Sequence, residues 1–447
     1  MPPSKSMDQP TFLAHLRASG LLDPTQFEQV VRSVPPAPRG RHTARLLVER
    51  GILTRFQAEL LLSGRSEGFV LGQYRILDQI GRGGMGRVFK AEHITMHRVV
   101  ALKVLSSQAL KTERARQLFQ REVRAAAKLA HPNIVTAFDA NQIGDRAFLV
   151  MEYVNGPNLQ DLVAERGPLP VAQACDFVRQ AALGLQHAHE QGMVHRDIKP
   201  ANLLVQPTPG RTNAYTVKIL DFGLARLNAP EPGKSPQGNE SILTPNNTVM
   251  GTPDYLSPEQ ARSMHAVDIR SDIYSLGCTF YYLLTGSVPF PGGSSLEKMV
   301  RHTTEEPTPP EQFRSDIPPV VSAVLRRMLA KDPAMRFQTP IEVAQALEPY
   351  CGSGTGTWLA VTPPTASLPA SDAQQSPWEN LLDEDEATVA TMPGGGPLTP
   401  TNGPAESAPA RSRRVGRSAG GIILLVAAGF ALLIGTAAVY YLFGQSG

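Results

Sequence analysis

The chain has 447 residues, of which 42% are hydrophobic and 19% charged, and carries a net charge of +3 at neutral pH. That length predicts about two or three units rather than one, and so small a charge argues against nucleic acid as a partner. The three cysteines, Cys175, Cys278 and Cys351, have neither paired nor ligand-like spacing. They support no disulfide framework or zinc site and read as small buried hydrophobes in a reducing compartment.

The amino terminus, "MPPSKSMDQPTFLAHL", lacks the apolar core of a secretion signal. Residues 10 to 65 hold two similar stretches, "LRASGLLDPTQFEQVV" and "LVERGILTRFQAELL", which align at Gly20 with Gly51 and at Phe27 with Phe56 if two residues are inserted. Each reads as helix, glycine turn, helix. Gly20 and Gly51 suit the left-handed conformation that ends a helix, and Asp23 and Thr54 can cap the next one. Residues 1–70 are therefore expected to form a small helical repeat module; two unrelated amphipathic hairpins are the alternative.

From Tyr74 the pattern switches to strands, "YRILDQIG", "GRVFKAEH" and "RVVALKVL". A helix is predicted over Glu113 to Leu129, then more strands ending at "AFLVMEYV". Helices dominate afterwards: in "VAQACDFVRQAALGLQHAHEQG" the residues Val171, Cys175, Val178, Ala182 and Leu185 fall on one face, and Gly192 ends the run. The order predicts an α+β domain over 74–350, a sheet-rich lobe followed by a helical lobe with a cleft between them.

Residues 351–419 are dominated by Gly, Pro, Ser, Thr and Ala and read as a flexible linker. Within it "WENLLDEDE" places Trp378, Leu381 and Leu382 at helical spacing, either a docking motif or a transient helix without a partner. Residues 420–443, "GGIILLVAAGFALLIGTAAVYYLF" with its flanking glycine, carry no charge and exceed the roughly 20 residues needed to cross a bilayer. Their Leu, Ile, Val and Phe residues give roughly 4 to 7 kcal/mol of favourable insertion. Arg411, Arg413, Arg414 and Arg417 precede the span, so the positive-inside rule predicts a cytoplasmic amino-terminal part and a short extracytoplasmic tail at 444–447.

The chemistry-bearing residues concentrate in "MVHRDIKPANLLV", residues 193 to 205. Apolar flanks there read as buried strand, and the ionic groups between them need a partner. "IGRGGMGRV" supplies Gly81, Gly83 and Gly86, whose bare backbone lets amides approach phosphate oxygens. Strands on both sides argue against a dinucleotide-binding turn, and no G-K-[ST] ending marks a Walker A loop; alone, a plain Gly-rich hairpin fits as well. Lys103 in "VALKVL" is a charge among apolar neighbours and must pair there. Glu122 shares a helix face with Phe119 and Ala126, so an ion pair Lys103–Glu122 is expected.

With "HRDIKPAN", "KILDFGLA", "GTPDYLSPE" and "SDIYSLGCTFYYLLTG" in this order, the stretch from Tyr74 to Tyr350 resembles the eukaryotic-type (Hanks-type) Ser/Thr protein kinases. The resemblance implies the bilobal protein-kinase fold, protein substrates, and ATP with Mg2+ as cofactors, Mn2+ being an alternative. Asp197 would orient the attacking hydroxyl and accept its proton, and Lys199 would hold the γ-phosphoryl group. Asn202 and Asp221 would bind the metal, while Lys103, positioned by Glu122, would hold the α- and β-phosphates. Ile80, Gly81, Gly83, Gly86, Val88 and Ala101 would enclose the nucleotide. Met151 matches the gatekeeper, and the backbone of Glu152 and Val154 would meet adenine. Lys199 and Thr252 fit a Ser/Thr rather than a tyrosine kinase.

Further implications concern regulation and stability. Arg196 would bind a phosphate on the activation segment, with Thr244 and Thr248 as candidate autophosphorylation sites. Asp272 would brace the catalytic loop, and Glu259 and Arg336 would form a buried ion pair. "QPTPGRTNAYT" and the activation segment are longer than the family pattern. The whole reads as a single-pass, membrane-anchored Ser/Thr kinase of bacterial type, with a homodimer for trans-autophosphorylation as a further expectation. The rival is a pseudokinase scaffold recruiting partners at the membrane; no catalytic position is missing.

Overall fold

In a computed structural model the chain is described over residues 7–83, 86–106, 112–144, 146–208, 210, 214–222, 253–262 and 267–352, without the side chains at 114, 115, 118 and 122. Four short helices come first: α1 (Gln9–Ala18), α2 (Pro24–Ser33), α3 (Gly40–Glu49) and α4 (Arg55–Leu62). They fall in two successive helix–glycine–helix pairs, α1 with α2 and α3 with α4. Gly20 (φ 67) and Gly51 (φ 68) both take the left-handed conformation. Each second helix opens with a capping box, Asp23 with Gln26 and Thr54 with Gln57. Phe12, Leu16, Leu47 and Leu61 are fully buried between the helices.

The small lobe is a six-stranded sheet. Its elements in chain order are β1 (Val70–Leu71), β2 (Tyr74–Gly83), β3 (Gly86–His93), β4 (Arg98–Leu105), helix α5 (Glu113–Ala126), β5 (Ala137–Ile143) and β6 (Arg146–Glu152). The strands lie in the order β1-β2-β3-β4-β6-β5, every neighbouring pair antiparallel. Helix α5 stops three residues before the expected Leu129, in a turn closed by the bond from Leu129 N to Ala126 O.

The helical module docks on this sheet. Strand β1 pairs with only Tyr74 and Arg75, so beyond them the outer side of β2 has no neighbouring strand. A bulge between Ile76 and Asp78 also leaves Leu77 outside the ladder. Helix α4 covers this edge with its own cap residues: Thr54 Oγ1 donates to Leu77 O (2.6 Å) and Gln57 Nε2 donates to Ile76 O (2.6 Å). Main-chain acceptors that an edge would leave bare are thus satisfied from within the chain.

The large lobe contains α6 (Leu159–Arg166), α7 (Val171–Glu190), β7 (Leu203–Pro207), β8 (Tyr215–Ile219), α8 (Pro258–Arg262), α9 (Ile269–Thr285), α10 (Ser295–Thr304), α11 (Pro319–Met328) and α12 (Pro340–Leu347). Its core lies around α7 and α9: Cys175, Val178, Ala182 and Leu185 are buried as their spacing predicts, with Val171 half-buried. Cys175 and Cys278 are buried and Cys351 half-buried, all as free thiols. Burial pushes Cys175 up to about 12 and Cys351 up to about 11, so both stay protonated.

Arg336 is buried and forms a two-pronged pair with Glu259, Nη1 to Oε1 at 2.7 Å and Nη2 to Oε2 at 2.9 Å, as expected. No helix among the described residues is long and apolar enough to cross a membrane. The expected span at 420–443 and the linker from residue 353 lie outside the described residues, as do Thr244 and Thr248.

Candidate active site

Strand register builds the roof of the cleft. Gly81 pairs with Val88, Val88 with Lys103, and Lys103 with Leu149, so these four form one row across the sheet. Two residues along β4, Ala101 pairs with Met151. Side chains two apart in a strand share a face, and Val88, Ala101, Lys103 and Met151 therefore line the same side. Ala101, Met151 and Val154 are buried, whereas Ile80 is exposed. Gly83 pairs with Gly86 at the tip of the β2–β3 hairpin. Gly86 has φ 151, and a Cβ there would meet Val104 O at 2.0 Å, so no other residue fits without the hairpin shifting.

Lys103 Nζ lies 2.7 Å from Asp221 Oδ2. A buried ammonium in an apolar strand needs such a counter-charge. Glu122 stands on α5, with its side chain outside the described residues, so the described partner of Lys103 is Asp221. Asp221 itself adopts φ 60, and Phe222 after it is buried against His195, ring centroids 4.8 Å apart.

The floor is the loop before β7. Of the two apolar flanks in "MVHRDIKPANLLV", only the second becomes strand; Met193 and Val194 lie in irregular chain. Between them the ionic groups are wired together. Lys199 Nζ contacts both oxygens of Asp197, at 3.0 and 2.8 Å. Asn202 Nδ2 donates to Asp197 O at 2.7 Å and to Asp197 Oδ2 at 3.1 Å. Leu220 N donates to Asn202 O at 2.9 Å, tying this loop to the residue before Asp221. Lys103, Asp221, Asn202, Asp197 and Lys199 are thus linked through these bonds and the Leu220–Asp221 peptide.

Asp272, fully buried on α9, accepts the N–H of His195 and of Arg196, both at 2.7 Å, and so braces the loop as expected. Burial pushes its carboxyl above the usual range; His195 and the two N–H donors oppose that push.

Two partnerships escaped the sequence reading. His195 accepts the Asp197 N–H at Nδ1 (3.2 Å), which leaves the ring proton on Nε2 to donate to Leu220 O (2.7 Å). Its place directly before Arg196 and Asp197 was the available signal. Glu152 Oε2 bonds Lys218 Nζ at 2.8 Å and also accepts the Thr136 N–H at 3.3 Å, joining β6 to β8. Lys218 in "TVKIL" is, like Lys103, a lone charge among apolar residues, and that pattern could have flagged it.

The site's donor atoms fit a nucleotide and a hard cation. The main-chain N–H and C=O of Val154 have no hydrogen-bond partner among the described residues, although the residue is buried. Asp221 offers a carboxylate, and Asn202 keeps its side-chain oxygen while its Nδ2 is engaged. Oxygen donors of this kind suit Mg2+, which takes few protein ligands and fills its sphere with phosphate and water. No cluster of three or more His, Cys, Asp or Glu able to hold a metal occurs among the described residues.

The fold, a six-stranded sheet lobe followed by a helical lobe, and the residues gathered at the site can be set beside known proteins. The family model "Protein kinase domain" matches residues 74–348. The chain belongs to that family. Serine/threonine-protein kinase PknB of Mycobacterium leprae is 39% identical over 309 residues, covering 68% of this chain and 46% of that protein. Serine/threonine-protein kinase pkn3 of Myxococcus xanthus is 36% identical over 356 residues, 75% of this chain and 63% of that one. The chain thus spans between about half and two thirds of the length of these curated relatives. Among solved structures, the PknI kinase domain of Mycobacterium tuberculosis is 29% identical with a TM-score of 0.49, covering 63% of this chain and 98% of that one. The resemblance to Hanks-type bacterial Ser/Thr kinases is borne out by the family match and the relatives' names.

Proposed function

We propose that the chain is an ATP-dependent Ser/Thr protein kinase, transferring the γ-phosphoryl group of Mg-ATP to protein hydroxyls. The observation that carries this reading is the linked set of Lys103 with Asp221 and of Lys199 and Asn202 with Asp197, tied by the bond from Leu220 N to Asn202 O. The names of the relatives support the choice of Ser and Thr as acceptors.

Bound ATP with its divalent cation, Mg2+ or Mn2+, would supply the phosphoryl donor and neutralise its oxygens. Asn202 and Asp221 would hold that cation, and Lys103 the α- and β-phosphate oxygens. The ammonium of Lys199, bonded to both oxygens of Asp197, would pair with the γ-phosphate. Asp197 would accept a hydrogen bond from the acceptor hydroxyl, aim it, and take its proton. The adenine edge would meet the open main-chain groups of Val154, between Val88, Ala101 and Met151. Little covalent work falls on the protein; alignment and charge neutralisation away from water provide the rate.

Arg196, beside Asp197, would receive a phosphate placed on Thr244 or Thr248 by a second copy of the chain, ordering the segment by charge-assisted hydrogen bonds. Residues 420–443 would anchor the chain in the membrane with the catalytic domain in the cytoplasm, as the arginines before the span indicate.

Incubation with γ-labelled ATP and Mg2+, followed by phosphoamino-acid separation, tests the reaction: label on threonine and serine is expected, and label on tyrosine alone contradicts it. Cell fractionation tests the anchor. The full chain should pellet with membranes and a chain ending at residue 419 should not; equal partitioning of the two contradicts it.

A further inference from the structure

Arg196 holds φ at 70, a region that a residue with a Cβ keeps only when its surroundings fix it. Two buried side chains from different helices do so. Asp272 on α9 takes the Arg196 N–H at 2.7 Å. Gln260 on α8 donates from Nε2 to the Arg196 carbonyl oxygen at 2.8 Å.

The amide of Gln260 is oriented without ambiguity, because the Ser257 N–H donates to its Oε1 at 3.0 Å and leaves Nε2 to face Arg196. Gln260 is 4% exposed. Its own N–H donates to Ser257 Oγ at 3.2 Å, so Ser257 and Gln260 form a capping box at the start of α8. Ser257 Oγ is bonded in turn to Ser271 Oγ at 3.1 Å, and Ser271 to Glu259. The glutamine therefore stands on a fixed base.

The two contacts act on different peptide planes. The Arg196 N–H belongs to the peptide shared with His195, and its carbonyl to the peptide shared with Asp197. Holding both planes sets φ and ψ of Arg196 together, and with them the direction in which Asp197 leaves the chain. Asp272 fixes only the first plane; the second is held at its N–H by the longer bond to His195 Nδ1 (3.2 Å) and at its carbonyl by Gln260 (2.8 Å).

We infer that Gln260 is a positioning residue for phosphoryl transfer: its carboxamide locks the Arg196–Asp197 peptide so that Asp197 faces the acceptor hydroxyl. The lock also couples the aim of Asp197 to the seating of α8, at the end of "GTPDYLSPEQ". The inference rests on the phosphoryl-transfer reading of Asp197.

Two full-length variants test it. Gln260→Glu keeps the size and the acceptor for Ser257, but an ionised carboxylate has no proton to give Arg196 O, whereas a protonated one has. At pH 8 its kcat should fall about tenfold, the loss of roughly one net hydrogen bond, with KM for ATP unchanged. The deficit relative to wild type should shrink as the pH is lowered toward 6, since burial raises the new carboxyl. Gln260→Ala should lose kcat at every pH and show faster amide hydrogen exchange over residues 193–202.

That exchange readout does not depend on turnover. Faster exchange in Gln260→Ala together with a wild-type chain that transfers no phosphate would sink the phosphoryl-transfer reading and leave the lock standing. Wild-type kcat in Gln260→Glu at pH 8, with unchanged exchange in Gln260→Ala, would overturn the lock and leave the transfer reading intact. A rise in KM for ATP with no recovery at lower pH would mark general damage and overturn the lock as well.

Discussion

Lys103 Nζ lies 2.7 Å from Asp221 Oδ2, an ion pair between the central strand β4 and the residue that begins "DFG" in the other lobe. The Lys103 side chain is 9% exposed and that of Asp221 31%. Lys103→Met removes the charge that the phosphates would meet and leaves Asp221 without its partner. ATP affinity should fall, and kcat/KM for phosphoryl transfer should drop by at least about 100-fold, the scale of losing one charged stabilising group. Nucleotide titration and initial rates check this; unchanged values for both would contradict the assignment.

The helical module is held to β2 by Thr54 and Gln57. Gln57→Ala strips Ile76 O of its donor in a buried position, which should cost about 1–3 kcal/mol. Urea unfolding measures the loss, and amide exchange over residues 74–83 should quicken. A variant with wild-type stability and exchange would show that the docking is incidental.

Glu259 and Arg336 form a buried pair, and breaking it leaves an uncompensated charge. Arg336→Met should destabilise the chain by about 3–5 kcal/mol. Burial by itself pushes the Glu259 carboxyl up, but the hydrogen bonds from Arg336 and Ser271 outweigh it and hold the group below its usual value. For a carboxylate so lowered, the stabilisation is complete above the unfolded value and disappears as the pH falls through the folded one. The Arg336→Met deficit should therefore be largest near neutrality and shrink in acid, as denaturation at several pH values will reveal.

His302 gives a second acid dependence in a higher window. Burial, reinforced by Lys331 and by Arg301 and Lys298, lowers its imidazole to about 3, and Tyr274 Oη lies 2.9 Å from Nδ1. Below about 6.5 the unfolded chain takes up a proton that the folded one refuses, so stability should fall with pH across that window, by up to about 4 kcal/mol. His302→Asn should flatten the slope between about pH 4 and 6.5. A slope equal to that of wild type would assign the acid sensitivity elsewhere.

What could be read in advance was whatever depends on local chemistry. The paired helices of residues 7–64 follow from Gly20, Gly51, Asp23 and Thr54, each acting on its immediate neighbours. The apolar face of α7 follows from periodicity. Long-range pairing was harder: Lys103 and Lys218 announce in the sequence that each needs a partner, but strand periodicity cannot say which carboxylate arrives from the other lobe. Asp221 is the described partner of Lys103, the side chain of the expected Glu122 lying outside the described residues, and Glu152 is the partner of Lys218. The first flank of "MVHRDIKPANLLV" did not form strand: Met193 N–H bonds back to Ala188 O at the end of α7, and Asp272 takes the N–H groups of His195 and Arg196 in the loop. The bulge at Leu77 and the short β1 left no sequence signal strong enough to foresee that α4 would close the edge of β2. Gln260 follows directly on "GTPDYLSPE", and nothing local in the sequence points to its bond with Arg196.

The central claim is that Asp197 acts within this cleft as the group that aims and deprotonates the acceptor. Transfer of γ-labelled phosphate by full-length wild type and Asp197→Asn, measured beside ATP affinity, tests it most directly. Asparagine keeps the shape but cannot take the proton, so labelling should be lost while ATP still binds with near wild-type affinity. Equal labelling by the two proteins would contradict the account.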